Sequence, residues 1–177
     1  NPRSPQTSVY DGSPKELGSE LMTNGDNESA VAVFDSSDSA NDCSYAQSSD
    51  IAYAGSYSAK IIRTTSGTGS FIYHFQDTDL SIVKANKVYV VSYWVYIPSG
   101  QTLVKVESFQ DMNGGAIETQ EVTATNTWTQ VKWYGTVSSK LEVRLRADEG
   151  EQGDYFYVDN ISIKEVQMGN HGTTTFY

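Results

Sequence analysis

One carboxylate inside a hydrophobic strand is the residue of this chain with the clearest chemical potential. Strict alternation over residues 155–164 places Asp159 on one strand face together with Tyr155, Tyr157, Ile161 and Ile163. An isolated carboxylate is costly to remove from water, so a buried Asp159 needs a hydrogen-bonding partner, a positive charge or a metal ion. The alternative is that Asp159 ends the strand and faces solvent.

Two further carboxylates lie near the other end of the chain, within Thr23-Asn24-Gly25-Asp26-Asn27-Glu28-Ser29. Asp26 and Glu28 are candidates for the same site as Asp159 if the two segments meet in the fold. Otherwise Asn24-Gly25-Asp26 is a plain turn and Glu28 is a solvated charge.

The residue types needed for catalysis are sparse. His74 and His171 are the only histidines, and neither lies in a recognisable nucleophile motif. A retaining glycosidase needs two carboxyl groups about 5–5.5 Å apart. No predicted strand offers such a pair, since Glu107 has Lys105 and Phe109 as its neighbours on the same face. We therefore expect a protein that is not an enzyme.

Composition narrows the class of protein further. The 177 residues suit one domain, and 12 Tyr, 6 Phe and 3 Trp favour β structure. A formal net charge of −10 argues against nucleic acid and anionic membranes as partners. No apolar run is long enough to insert into a bilayer. Cys43 is the single cysteine, which excludes an internal disulfide and a cysteine-based zinc site.

Short alternating segments separated by Gly, Ser, Asn and Asp predict an all-β protein, a two-sheet antiparallel β-sandwich. The candidate strands are Leu21–Thr23, Ala30–Phe34, Ser58–Arg63, Phe71–Gln76, Val88–Ile97, Leu103–Phe109, Ala116–Val122, Thr129–Thr136, Leu141–Ala147 and Tyr155–Lys164. We expect the sandwich over residues 20–166. Residues 1–19, rich in Pro, Ser and Gly, are predicted to form an extended arm or linker, and residues 167–177 a polar C-terminal arm.

Five segments in chain order carry a family resemblance. They are Leu21-Met22-Thr23-Asn24-Gly25-Asp26-Asn27-Glu28, Gly55-Ser56-Tyr57-Ser58-Ala59-Lys60-Ile61, Val88–Tyr96, Asn126-Thr127-Trp128-Thr129-Gln130-Val131 and Phe156–Ile163. Together they resemble the carbohydrate-binding modules that are calcium-containing, galactose-binding-like jelly rolls. The chain departs from that family in having Asn27 where Phe is usual. The resemblance implies a jelly-roll sandwich over most of the chain.

The resemblance also implies a structural calcium ion that joins the first and last strands. The carboxylates of Asp26, Glu28 and Asp159 would be its ligands, and backbone carbonyls around Ser56 and Lys60 would complete the set. Calcium takes 6–8 oxygen ligands in flexible geometry, which suits such a mixture.

A candidate glycan-binding surface follows from the same resemblance, which places Tyr93 and Val95 in the core and therefore Trp94 and Tyr96 on the opposite strand face. Alternation on the other strands adds polar and aromatic residues, which we expect on one sheet. The predicted surface consists of Trp94, Tyr96, Tyr134, Glu107, Arg144 and Arg146. Aromatic rings stack on sugars and charged groups bind hydroxyls. A terminal arm or a neighbouring subunit could cover the same surface instead.

Two functions fit these features. The favoured one is a non-catalytic structural or adhesive subunit of an extracellular assembly, a fibre, pilus-like filament or phage appendage, on a cell surface or a virion. Its arms would contact neighbouring subunits in a homo-oligomer or filament. The tail Gly169–Tyr177 resembles segments of environmental phage structural proteins. The alternative is a glycan-binding accessory module of a polysaccharide-degrading enzyme, with a polysaccharide as partner and residues 1–19 as a linker.

Overall fold

A computed structural model describes residues 16–29, 43–66, 70–77, 80–111 and 117–167 of the chain. These residues form ten β-strands connected by turns and loops. The strands are β1 Glu16–Glu20, β2 Cys43–Ser48, β3 Ser58–Arg63, β4 Ser70–Asp77, β5 Lys87–Tyr96, β6 Lys105–Asp111, β7 Ile117–Val122, β8 Trp128–Val137, β9 Leu141–Asp148 and β10 Tyr155–Gln167. No helix long and apolar enough to cross a membrane occurs in this part of the chain.

The strands form two antiparallel sheets, as the sequence predicted. The larger sheet has the order β2-β3-β10-β5-β8, and β1 also pairs with β10. The smaller sheet has the order β4-β9-β6-β7. Strand β10 is long enough to pair with β3 through its first residues and with β1 through its last ones. The result is the predicted two-layer jelly-roll sandwich.

The core lies between the sheets and follows the predicted alternation. On β5, the inward-facing residues Tyr89, Val91, Tyr93 and Val95 are all buried. The outward-facing residues Ser92, Trp94 and Tyr96 are half-buried. Trp133 of β8 is buried as well. Each inward residue of one sheet packs against those of the other, which is how a sandwich buries its apolar side chains.

Strand β10 departs from the alternation predicted for it. Asp159 pairs with Trp94 and Ser162 pairs with Ser92, so two residues of β10 lie opposite a single residue of β5. This β-bulge contains Asn160, which has a φ of 50°. Because the extra residue reverses the phase, the prediction that Asp159 shares a face with Ile161 and Ile163 is wrong. Asp159 lies on the outer face, and both isoleucines lie in the core.

The N-terminal boundary also differs from the prediction, because β1 begins at Glu16, within the expected arm of residues 1–19. Residues 21–23 do not form the predicted strand and instead begin a series of turns. Glu20 attaches this segment to β10, since its carboxylate accepts a hydrogen bond from the Ile163 amide at 2.7 Å. The predicted strand at 30–34 and most of both predicted arms lie outside the described residues.

Candidate functional site

Asp159 is fully buried on the outer face of the larger sheet, and four N–H groups satisfy its carboxylate. Oδ2 accepts hydrogen bonds from the amides of Tyr53 at 2.8 Å and Ala54 at 3.2 Å. Oδ1 accepts from the Asn160 amide at 2.6 Å and from the Asn27 side chain at 3.4 Å. Burial nevertheless holds the pKa of Asp159 above its ordinary value, against the effect of these donors. A buried Asp159 was expected to need a hydrogen-bonding partner, a positive charge or a metal ion. Among the described residues, its partners are hydrogen-bond donors.

Glu28 binds the residues that follow Tyr53 and Ala54 in the same loop. Its Oε1 accepts hydrogen bonds from the amides of Ser56 at 2.8 Å and Tyr57 at 2.9 Å. A Cβ at Gly55 would lie 2.3 Å from that oxygen, and the φ of Gly55 is 70°, so only glycine permits this approach. Asp26 is exposed and accepts a single bond, from the Glu28 amide at 3.4 Å.

The three predicted calcium ligands therefore point toward N–H donors. Calcium requires several oxygens directed at one point. In the described ranges, no three acidic, histidine or cysteine side chains lie close enough together to hold a metal ion. As arranged here, Asp26, Glu28 and Asp159 do not fit a calcium ion, and calcium binding stays a prediction.

Calcium binding has a direct test. If Asp26, Glu28 and Asp159 bind the ion, wild-type protein will melt several degrees higher in millimolar calcium than in chelator, because a ligand of the folded state stabilises it. Differential scanning calorimetry in both buffers measures this shift. Magnesium at the same concentration is the control. Identical melting temperatures in chelator and in calcium would reject the calcium prediction.

The structure divides the six residues of the predicted glycan surface between the two sheets. Trp94, Tyr96 and Tyr134 lie on the larger sheet, on β5 and β8. Glu107, Arg144 and Arg146 lie on the smaller sheet, on β6 and β9. The prediction that they share one sheet is wrong. They define two outer faces on opposite sides of the sandwich.

The first surface, here called the ionic face, is the outer face of the smaller sheet and contains Lys105, Glu107, Glu121, Arg144 and Arg146. The buried carboxylate of Glu107 forms an ion pair with Arg146 and lies 2.8 Å from Lys105 Nζ. Glu107 and Glu121 are directly opposite in register, where like charges repel, and Lys105 lies 2.7 Å from Glu121 as well. Lys105 therefore joins both acids into one cluster.

The charge state of Glu107 follows from its surroundings. Burial acts to raise the pKa of Glu107, but hydrogen bonds and charge from Lys105 and Arg146 outweigh it, so this pKa lies below its ordinary value. Hydrogen bonds to Glu107 and Glu121 raise the pKa of Lys105. Near neutral pH the Glu107 carboxylate is therefore an anion held between the cations of Lys105 and Arg146. The carboxylate can accept hydrogen bonds from hydroxyl groups, and the two cations can donate hydrogen bonds to them.

Aromatic residues occupy register positions beside both arginines of the ionic face. Phe71 of β4 pairs with Arg146, and Tyr73 of β4 pairs with Arg144. On the other side, Phe109 of β6 also pairs with Arg144. Residues paired in an antiparallel sheet share a face. Both arginines of the ionic face are thus in backbone register with aromatic residues of the two strands that flank β9.

The second surface, here called the aromatic face, is the outer face of the larger sheet with the loop that covers it, and six of its described rings are in mutual contact. They are Tyr53, Trp94, Tyr96, Trp128, Tyr155 and Tyr157. The ring of Tyr53 stacks on Trp94 with a centroid distance of 3.9 Å and an interplanar angle of 14°. The loop that Asp159 and Glu28 hold in place therefore covers Trp94. Tyr134, also on this sheet, is 55% exposed, and Lys132 Nζ lies 5.2 Å from its ring centroid.

Several residues of these surfaces were missed by sequence reasoning. Tyr53 lies in an irregular loop without periodicity, so nothing in the sequence linked it to Trp94. Trp128 was named only within a segment that carries the family resemblance and was not predicted to lie on a binding surface. Lys105 was recognised as a neighbour of Glu107 but not as its ion-pair partner, although opposite charges two residues apart on a strand are a usable signal.

The two-sheet jelly roll, with an ion-pair cluster on one outer face and aromatic rings on the other, defines the class of the protein as a β-sandwich module. Residues 19–149 match the family model CBM_4_9, described as "Carbohydrate binding domain". The chain belongs to this carbohydrate-binding family, as the five sequence segments suggested. No curated protein sequence matches the chain.

Solved structures of low sequence identity share the fold. A xylan-binding domain, CBM22-1 of Paenibacillus barcinonensis Xyn10C, is 15% identical with a TM-score of 0.56, and the match covers 88% of this chain and all of that domain. TmCBM61, solved with β-1,4-galactotriose, is 15% identical with a TM-score of 0.55, covering 82% and 98%. The active domain of tailspike protein 4 of bacteriophage CBA120 is 8% identical with a TM-score of 0.57, covering 83% and 21%.

Proposed function

We propose that this chain is a non-catalytic glycan-binding module that binds a polysaccharide through the ionic face. The observation that carries the proposal is the fixed cluster of Lys105, Glu107 and Arg146 on a sheet face of a carbohydrate-binding domain. Such a cluster offers rigid acceptors and donors to hydroxyl groups. We further propose that the module belongs to an extracellular polysaccharide-degrading protein, a context that its carbohydrate-binding family supports.

Two features make the ionic face the better candidate for the main binding site. Its charged groups are held by one another and need no rearrangement to meet a ligand, which lowers the entropic cost of binding. In backbone register, Phe71 and Tyr73 of β4 and Phe109 of β6 are paired with its two arginines. Sugar recognition uses this combination of apolar ring contacts and directed hydrogen bonds.

The family membership favours this function over the assembly subunit that the sequence favoured. The structural likeness to a phage tailspike supports only the shared fold, given 8% identity. Assembly through terminal arms rests on residues 1–15 and 168–177, which lie outside the described ranges. It stays a prediction for those segments.

Arg146→Ala is expected to weaken polysaccharide binding by roughly 10- to 100-fold, because a hydrogen bond to a charged group contributes about 1.5–3 kcal/mol. Affinity electrophoresis in gels containing xylan, β-1,4-galactan, β-glucan or mannan measures the change. Glu107→Gln keeps the shape of the side chain but removes its charge, and should weaken binding through the same cluster.

Lys87→Ala is the matched control, since Lys87 is also an ion-paired cation, 3.0 Å from Glu165, but lies on the larger sheet. It should migrate like wild type in every gel. Equal retardation of Arg146→Ala, Glu107→Gln and wild type on a polysaccharide that retards the wild type would reject the ionic face as the binding site.

A further inference from the structure

The aromatic face is more extensive than the packing of the sandwich requires. Below it, the inward residues Phe156 and Val158 of β10 are fully buried, so the core on the other side of the sheet is complete. On the outer side, Trp128 lies opposite Tyr96 in register, and Tyr96 lies opposite Tyr157. The row of rings crosses β8, β5 and β10, and Lys60 on the neighbouring β3 extends the surface to a width of about 14 Å at the usual strand spacing.

Much of this row is accessible although one part is covered. The loop at residues 49–57 covers Trp94 and Asp159, and its own Tyr53 is 39% exposed. Trp128, Tyr96 and Tyr155 are each half-buried. Tyr53 and Tyr96 both contact the ring of Trp128, with centroid distances of 6.0 and 5.4 Å. These contacts hold the ring in one orientation, which leaves little side-chain entropy to lose when a ligand binds.

A polar group ends the row on strand β3. Lys60 Nζ lies 4.1 Å from the ring centroid of Tyr155 and 3.0 Å from a carboxylate oxygen of Asp50. The hydroxyl of Tyr157 donates a hydrogen bond to the same Asp50 oxygen at 3.0 Å. One cation and one anion therefore lie side by side, and their charges cancel. This end of the row can bind hydroxyl groups without selecting a charged ligand.

These features favour a sugar chain over a protein as the occupant. Among the described residues, the large aliphatic side chains that are exposed are Leu17, Ile82 and Val104, and all three lie outside β3, β5, β8 and β10. The aromatic face therefore offers rings and hydroxyl-binding groups, the two elements that stack on sugar rings and bind their hydroxyls. We propose that the aromatic face is a second glycan-binding surface, so that the module holds two polysaccharide chains, one on each sheet.

The proposal is tested with four full-length proteins: wild type, Trp128→Ala, Arg146→Ala and the double variant. In affinity gels with xylan and β-1,4-galactan, Trp128→Ala should bind roughly tenfold more weakly than wild type, from the loss of one stacked ring. Arg146→Ala should keep residual binding that the double variant lacks. Wild type should also crosslink and precipitate soluble polysaccharide, whereas each single variant should not.

Lys60→Met provides a second variant at the polar end in case Trp128→Ala destabilises the fold. It keeps the apolar stem over Tyr155 and removes the charge, and should weaken the same binding. Tryptophan fluorescence adds a local readout, because Trp94 and Trp128 lie on this face and Trp133 lies in the core. The fluorescence of Arg146→Ala should still respond to xylan or galactan.

The outcomes separate this proposal from the proposed function. Wild-type binding by both Trp128→Ala and Lys60→Met would overturn the second surface and leave the ionic face intact. Complete loss in Trp128→Ala, with normal binding by Arg146→Ala, would instead reject the ionic face. A concentration-dependent dimer that Trp128→Ala abolishes without any effect on sugar binding would assign the aromatic face to a second copy of the chain. That result would overturn the proposal.

Discussion

Asp159→Ala is expected to lower the free energy of unfolding by about 3 kcal/mol, because the substitution leaves several N–H donors without an acceptor. The amides of Tyr53 and Ala54 would lose their hydrogen bonds to Oδ2. The Asn160 amide and the buried Asn27 side chain would lose their hydrogen bonds to Oδ1. Part of the loss is offset, since burial already disfavours the charged form of Asp159. Urea denaturation at neutral pH measures the difference.

Hydrogen exchange locates the effect of this substitution. The Tyr53 and Ala54 amides should exchange faster in Asp159→Ala, while those of Ser56 and Tyr57 keep their bonds to Glu28. Asp26→Ala is the control, because Asp26 is exposed and accepts one long hydrogen bond, so its cost should stay within about 0.5 kcal/mol. Equal stability of the two variants would show that the four donors do not need the Asp159 carboxylate.

The fold was predictable wherever alternation is regular, and it was missed where the backbone breaks the pattern. Strand β5 alternates in burial from Val91 to Tyr96 and was predicted to within one residue at each end. On β10 the bulge at Asn160 reverses the phase, and a one-residue insertion has no reliable sequence signal. Strand β2, Cys43–Ser48, is an edge strand with mostly exposed residues, so its sequence carries no hydrophobic period. Val104 lies within the predicted strand Leu103–Phe109 but precedes β6 and is 53% exposed.

The candidate sites were predictable residue by residue but not as assembled surfaces. Alternation correctly turned Glu107, Arg144 and Arg146 away from the core, and it did the same for Trp94 and Tyr96. Which strands share a sheet depends on pairing between distant segments, such as β5 with β8 and β6 with β9. Local periodicity holds no information on that pairing. The sequence therefore merged two faces that the fold places on opposite sides.

Ser108→Ala is expected to destabilise the protein by about 2–4 kcal/mol, because one small hydroxyl satisfies two buried aromatic side chains. Trp133 Nε1 donates a hydrogen bond to Ser108 Oγ at 3.1 Å, and the Tyr93 hydroxyl is hydrogen-bonded to the same oxygen. Burial raises the pKa of Tyr93, so the phenol keeps its proton and continues to need a partner. Without Ser108, both polar groups stay in an apolar core. Thermal and urea unfolding measure the loss.

A double-mutant cycle distinguishes this network from simple loss of volume. Tyr93→Phe removes one of the two groups, so it should cost less in the Ser108→Ala background than in wild type, with a coupling energy of about 1 kcal/mol. Ser58→Ala is the matched control, since Ser58 is equally buried but its hydroxyl bonds only the Ile51 carbonyl. If Ser108→Ala and Ser58→Ala cost the same and Tyr93→Phe is additive, Ser108 serves only to fill space. A positive coupling would show that a polar contact between β5, β6 and β8 holds the two sheets in register beneath both proposed binding faces.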